Sequence, residues 1–358
     1  MKIFSFATFS ASAYFENARI PCKQKRWNFL WIYIPRIRFF SVFSMAAKAD
    51  SSEGEIREDF LGRVAILAPG RAKRPHDFKA EVPKKTTPKS KCFFCPGNEN
   101  LTPPEIERTS LPSKKGWQNR VFSNKFPALN KGWHRAYGMH EVLVETPEHS
   151  KTLSQLSENE IFLYLKMAAK RLKAHAKDKK IKYTSIFKNE WEAAGASLEH
   201  THTQLVGMPF VPPYVKQQQK ACKKPCHFCS INKNKKFPKI YSNSNFTLLC
   251  PYVSKYKYEL WIVPKKHIGS IVDMDDKTLL LLAQILSIAL KTQDSYLGYP
   301  PYNILFHLSP HHSKGFHMHL SITPRIAKWA GFEHQTGVIM NSVRPEIAAE
   351  EYKVNLIK

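Results

Sequence analysis

Residues 200–204 read His-Thr-His-Thr-Gln. On a β-strand, side chains alternate, so His200, His202 and Gln204 share one face. An imidazole placed there has two chemical uses, as a metal ligand or as a nucleophile. A neutral ring can attack phosphorus, carry a phosphoryl or nucleotidyl group and leave again, which makes His202 the candidate nucleophile. Gln204 then donates a hydrogen bond to phosphoryl oxygens as charge builds on them. The preceding Gly195-Ala196-Ser197 can bring backbone N–H groups close to phosphate. The plain alternative is a polar sheet face carrying a two-histidine metal pair.

Four of the seven cysteines form two C-x-x-C pairs, Cys92/Cys95 and Cys226/Cys229. Each pair is half of a tetrahedral thiolate–imidazole site for zinc. The expected first set is Cys92, Cys95, His149 and His200; the second is Cys226, Cys229, His267 and His317. A full set of four protein ligands leaves no position for water, so both zinc ions are expected to be structural. His140, His227 and His319 compete for ligand roles, although His227 lies inside its own turn and should point away. His311 and His312 read as exposed loop residues.

Elements that would position these groups occur twice. His149 precedes His200 by 51 positions, and His267 precedes His317 by 50. "HEVLVET" and "YELWIVP" alternate like strands and "YTSIFKN" and "YNILFHLS" do so again, each pair flanking a helical pattern. The first helix is predicted over 157–176, with Ser157 and Glu160 as a capping box. The second is predicted over 274–291, with Asp275 or Asp276 as N-cap. The fold expected is α+β: a duplicated unit, each copy an antiparallel sheet with one packed helix. The halves are expected at 45–215 and 216–358, divided in the Pro- and Lys-rich segment 211–225.

The first 44 residues contain a single carboxylate, Glu16, and many aromatic and basic side chains. They read as a transit-like extension, or as sequence upstream of a start at Met45, outside the mature fold. The protein is therefore expected in the cytoplasm, or in an organelle if residues 1–44 are a transit peptide. No apolar run is long enough to span a bilayer, so no membrane partner is expected. A formal charge of +26 suits anionic partners such as phosphorylated metabolites. Such a charge beside paired cysteines also admits another class, a zinc-structured nucleic-acid binder, but that reading gives "EHTHTQ" no purpose.

"RAKRP" (71–75), "CFFCPGNE" (92–99), "SNKFPAL" (123–129), "HEVLVETPEHSKTL" (140–153), "FKNEWEAAGASLEHTHTQ" (187–204) and "GFEHQTG" (331–337) together resemble the galactose-1-phosphate uridylyltransferase family of the histidine triad superfamily. The ADP-glucose phosphorylase branch is about equally similar, through its two complete zinc sites and its "GFExxTG" tail. The resemblance implies two histidine-triad-like halves, with His202 as the nucleotidylated nucleophile, His200 and His149 as zinc ligands and Gln204 holding the phosphoryl group. It assigns Arg71 and Arg74 to phosphate, Asn124 to the nucleotide, and Asn189 and Ser197 to further phosphate contacts. The implied reaction is ping-pong transfer of UMP from UDP-glucose to galactose 1-phosphate, or transfer of AMP from ADP-glucose to inorganic phosphate. The implied partners are a nucleoside diphosphate sugar, a sugar phosphate and a second copy of the chain, with no nucleic acid. Thr201 and Thr203 depart from the proline and glycine of the best-known uridylyltransferases, which leaves the base and the acceptor open.

Overall fold

The computed structural model describes residues 53–73, 86–110 and 116–358. The expected extension, residues 1–44, lies outside them. Thirteen strands and six α-helices are present among the described residues. In chain order the strands are β1 (Glu55–Glu58), β2 (Val64–Leu67), β3 (Glu105–Thr109), β4 (Asn119–Ser123), β5 (Met139–Val144), β6 (Tyr183–Glu190) and β7 (His202–Met208). They continue with β8 (Lys239–Ser242), β9 (Phe246–Leu249), β10 (Leu260–Pro264), β11 (Tyr302–His307), β12 (His319–Pro324) and β13 (Ile339–Asn341). The helices are α1 (Glu158–Ala176), α2 (Pro213–Ala221), α3 (His227–Ile231), α4 (Asp276–Leu297), α5 (Gly331–Thr336) and α6 (Pro345–Val354).

Ten strands form one antiparallel sheet in the order β3-β4-β5-β7-β6-β11-β12-β10-β9-β8. The order is palindromic about the β6–β11 seam: β7 corresponds to β12, β5 to β10, β4 to β9. This is the duplication seen in the spacing of the histidines. The halves are joined edge to edge, with Asn303 of β11 directly opposite Asn189 of β6. The segment 211–225 carries α2, and the sheet continues across that point unbroken. β1, β2 and β13 form a separate small sheet.

Both long helices begin where their caps dictate. Ser157 caps α1, and the Glu160 carboxylate accepts from the Ser157 N–H in return. The Asp275 carboxylate accepts from Thr278 N–H and starts α4. α4 runs to Leu297 and stops at Gly298, whose left-handed φ of 73° a side chain would resist. The helices pack on one sheet face, where Leu165, Leu172, Leu282 and Leu286 join Leu143, Leu205 and Ile262 in the main core. The opposite face carries two smaller apolar clusters, one around Phe94, Phe122, Val142 and Val144, the other around Phe228, Trp261 and Phe316. Alternation on the strands explains the split: Leu143 faces the helices while Val142 and Val144 face away.

Candidate active site and metal centres

β7 presents its two faces to different surroundings. Thr203 and Leu205 point to the helix layer, where the Thr203 hydroxyl lies 3.0 Å from Tyr164 OH. His202 and Gln204 point the other way and line a cavity of about 390 Å³ with Phe93, Phe94, Phe122, Asn124, Lys125, Phe126, Val142 and Ser197. His200, just before the strand, continues the same face and meets the Cys92 and Cys95 sulfurs. The shared face expected for His200, His202 and Gln204 is the one observed.

The His202 ring is buried, and its tautomer is fixed by the backbone. Its Nδ1 lies 2.9 Å from the His200 carbonyl oxygen. A carbonyl only accepts, so Nδ1 carries the proton and the Nε2 lone pair is left for chemistry. Burial lowers the His202 pKa, and Lys188 lowers it further against the opposing His200 carbonyl and Glu145. The ring is thus neutral near pH 7, the state a nucleophile needs. Phe94 meets it edge-on, with centroids 5.3 Å apart, and limits its rotation.

Beneath the strand lies a charged cluster that no motif in the sequence announces. Lys188 Nζ is fully buried, 3.0 Å from a Glu145 carboxylate oxygen and 2.9 Å from one of Glu190. The Thr201 and Thr203 hydroxyls each donate to Glu145 at 2.6 Å. The two threonines are therefore bolts that fix the segment carrying His200, His202 and Gln204 to a buried ion cluster. Lys188 and Glu190 share the face of β6 that buries Ile186, and only their charge marks them as surface in the sequence.

The loop 191–199 enters the site from β6. It begins at Trp191, whose φ of 68° is unusual for a bulky residue. Asn189 donates to the Gly195 carbonyl at 3.2 Å, and Asn303 donates to Asn189 at 2.9 Å and to the Ala194 carbonyl at 2.7 Å. Asn189 thus braces the loop and is not among the residues lining the cavity, whereas Ser197 and Asn124 are. Arg71 is exposed on the short 3-10 helix Pro69–Lys73 and is not among the residues lining the cavity. Arg74 lies outside the described residues.

The two cysteine pairs meet the histidines expected of them. Cys92, Cys95, His149 and His200 form one cluster, and Cys226, Cys229, His267 and His317 the other, with each set's ligand atoms within 4.8 Å of one another. In both, the Nδ1 atoms face sulfur. His200 Nδ1 lies 3.4 and 3.6 Å from the Cys92 and Cys95 sulfurs, and His317 Nδ1 lies 3.3 Å from Cys229. In both, the far nitrogen donates to a carbonyl: His200 Nε2 to Thr146 at 2.8 Å, His317 Nε2 to Pro264 at 3.0 Å. Such a bond fixes the tautomer that leaves Nδ1 free for a metal. The first cluster is wholly buried; the second reaches solvent.

The competing histidines lie elsewhere. His140 is 2.8 Å from Gln204. His227 stacks on Phe60 outside the cluster. His319 is sandwiched by His307 and Phe228, with centroids at 4.2 and 4.7 Å. His312 is exposed as expected, but His311 is half-buried, with Nε2 2.8 Å from the Thr184 hydroxyl. Its place beside β6 comes from the β11–β12 connection folding back, which local composition does not reveal.

Comparison with known proteins agrees with this geometry. An ADP-glucose phosphorylase of Arabidopsis thaliana is 34% identical over 84% of this chain and 93% of its own length. The family model described as galactose-1-phosphate uridyl transferase, N-terminal domain, matches residues 49–212. The chain belongs to the galactose-1-phosphate uridylyltransferase family, which includes the ADP-glucose phosphorylase branch. The family is one of nucleotidyltransferases. A galactose-1-phosphate uridylyltransferase of Thermotoga maritima is 25% identical over 74% of this chain and 89% of its own. The crystal structure of an Arabidopsis thaliana ADP-glucose phosphorylase with bound ADP-glucose superposes with a TM-score of 0.75, at 31% identity, covering 84% of this chain and 99% of that one. A uridylyltransferase structure superposes with a TM-score of 0.65 at 26% identity, covering 84% and 98%. The fold is thus the family's α+β fold. Among the described residues no helix is long and apolar enough to cross a membrane.

Proposed function

We propose that this family member transfers AMP from ADP-glucose to inorganic phosphate through a nucleotidyl group carried on His202. The observation that carries the reading is the His202 ring, locked with Nδ1–H on a carbonyl and Nε2 open to the cavity. Nε2 attacks the α-phosphorus, the bond from phosphorus to the bridging oxygen breaks, and glucose 1-phosphate leaves with the electron pair. A phosphate oxygen then attacks the same phosphorus, the P–N bond breaks, and His202 returns with ADP released. While the ring carries the nucleotide it is cationic, and its Nδ1–H bond to the His200 carbonyl strengthens. That bond favours the charge-separated stages over the ground state. Gln204 faces the phosphoryl oxygens, and Lys125 at the mouth supplies a cation for the diphosphate. Phe93 and Phe126, 42% and 83% exposed, offer ring faces for a base.

The ADP-sugar form is preferred because likeness to the ADP-glucose phosphorylase exceeds likeness to the uridylyltransferases in both sequence and superposition. Thr201 and Thr203 support it: their hydroxyls are committed to Glu145, a construction that proline and glycine cannot make. Transfer of UMP from UDP-glucose to galactose 1-phosphate is the second reading, favoured by the match over residues 49–212.

Both clusters suit structural zinc. With Zn–S near 2.3 Å and Zn–N near 2.05 Å, a tetrahedral S···N edge is about 3.6 Å. The observed Sγ···Nδ1 separations run from 3.2 to 3.8 Å. Bound zinc would tie the C-x-x-C turns to the sheet and supply no group to phosphorus.

The test is incubation with ADP-glucose or UDP-glucose, without acceptor, read as intact mass and as the mass of the peptide containing His202. An adenylyl adduct, lost in His202→Asn, is expected. A uridylyl adduct alone would select the second reading, and no adduct with either donor would refute nucleotidyl transfer.

A further inference from the structure

We propose that His140 is a positioning residue for this transfer: as the Nε2–H tautomer it dictates which end of the Gln204 amide faces the phosphorus. The proposal rests on the reading of His202 and Gln204 given above. His140 lies on β5 opposite Val206 of β7, so its side chain reaches Gln204 diagonally across the strand pair.

The tautomer follows from one group that cannot be turned around. The backbone N–H of Ala128 donates to His140 Nδ1 at 3.1 Å. Nδ1 therefore carries no proton, which makes the ring neutral and places its single proton on Nε2. That nitrogen lies 2.8 Å from Gln204 Oε1. An N–H needs an acceptor, so the Gln204 carbonyl oxygen is held toward His140 and its NH2 group is turned to the cavity shared with His202. Asn124 bounds the same edge. Its Oδ1 accepts the Phe126 N–H at 2.8 Å, so its NH2, 3.2 Å from His140 Nε2, is a donor beside a donor. Asn124 cannot take the His140 proton without giving up Phe126, which leaves Gln204 as the acceptor.

The consequence is functional. A glutamine amide free to flip would present its carbonyl oxygen to anionic phosphoryl oxygens half the time, a repulsive contact. A held amide presents its donor at every encounter, without reorganisation during the reaction. His140 reaches the chemistry only through Gln204.

Single-turnover adenylylation with ADP-glucose, read by rapid quench and intact mass, tests this. His140→Phe is expected to slow adduct formation about tenfold or more, with ADP-glucose affinity unchanged within about twofold. His140→Gln keeps a donor where Nε2 stood and is expected to recover most of the rate. His140→Asn keeps only the acceptor for Ala128 and is expected to be as slow as the phenylalanine variant. In a Gln204→Ala background, His140→Phe should cost nothing further. An equal loss in both backgrounds, or a glutamine variant as slow as phenylalanine, would overturn the proposal. Nitrogen chemical shifts of the His140 ring in the unliganded protein give a separate reading. Nε2–H is expected, and Nδ1–H would overturn the proposal whether or not any adduct forms. A wild-type protein that forms no adduct but shows Nε2–H would instead refute the transfer reaction itself.

Discussion

Replacing Lys188 by methionine would test whether the ion cluster beneath β7 holds that strand in place. Lys188 is fully buried between Glu145 and Glu190, and both carboxylates are buried as well. At about 3 Å and an effective dielectric near 20, each attraction is worth roughly 5 kcal/mol before desolvation is subtracted. Methionine matches the aliphatic stem but leaves two carboxylates buried beside each other without a cation. Breaking a buried pair from one side costs about 3–5 kcal/mol. Loss of that size, measured as ΔG of urea unfolding at pH 7 on protein of unchanged metal content, is expected for Lys188→Met. The triple variant Lys188→Met, Glu145→Gln, Glu190→Gln removes all three charges and should regain most of the loss. A single variant within about 1 kcal/mol of wild type, or a triple variant no better than the single, would refute the account. Because Thr201 and Thr203 donate to Glu145, the single variant should also slow adduct formation on His202. Restoring stability with an osmolyte should not restore that rate if strand position is the cause.

Three further expectations follow from particular groups. Asp294 is buried, and burial raises its pKa to about 7 against the lowering effect of the Ser154 hydroxyl. Its folded pKa is above its unfolded one, so its contribution to stability is fully present below about pH 4 and lost as pH rises to about 7. Asp294→Asn should therefore stabilise the protein at pH 8, by up to about 4 kcal/mol, and leave it unchanged near pH 4 in unfolding titrations. Thr203→Val should cost about 1–3 kcal/mol in urea unfolding, since it leaves Glu145 one buried donor short. Zinc release to a chromogenic chelator should show two phases, the faster from the solvent-reaching second cluster and abolished by Cys229→Ala; a single phase that persists in that variant would contradict the difference in burial.

Much of this was legible from spacing. The two C-x-x-C pairs, the repeated interval to H-x-H and the strand period placed His200, His202 and Gln204 on one face and each cysteine pair with its histidines. The capping residues fixed the start of both long helices. Less legible was everything that depends on what lies across a strand pair. Lys188 reads as an ordinary surface lysine because nothing nearby in sequence announces Glu145, 43 residues earlier, as its partner. Asn189 reads from sequence as a phosphate contact, and nothing near it in sequence announces its bonds to the Gly195 carbonyl and to Asn303 of the other half. His140 competes as a metal ligand on residue type alone, and only the Ala128 N–H shows what it does instead.

The duplication also bears on which half has room for a nucleotidyl group. His319 stands in β12 where His202 stands in β7, and each follows a ligand histidine by two positions. Trp261 lies opposite Ser321 in the second half as Val142 lies opposite Gln204 in the first. Where Val142 leaves room for a cavity, the Trp261 ring packs against His319 at 4.6 Å, and the Arg63 guanidinium lies over the same indole at 4.6 Å. His307 and Phe228 close the remaining sides. Ser321 holds its hydroxyl 2.9 Å from His307 Nε2 and is shorter than the glutamine it replaces. The second half thus keeps the metal cluster and the strand but fills the substrate space with aromatic side chains. The expected result is a single nucleotidyl group per chain, carried on the peptide containing His202, with none on the peptide containing His319 even in His202→Asn. A second adduct on the His319 peptide would mean that Trp261 and Phe228 move aside, and that the buried half of the duplication is still open to substrate.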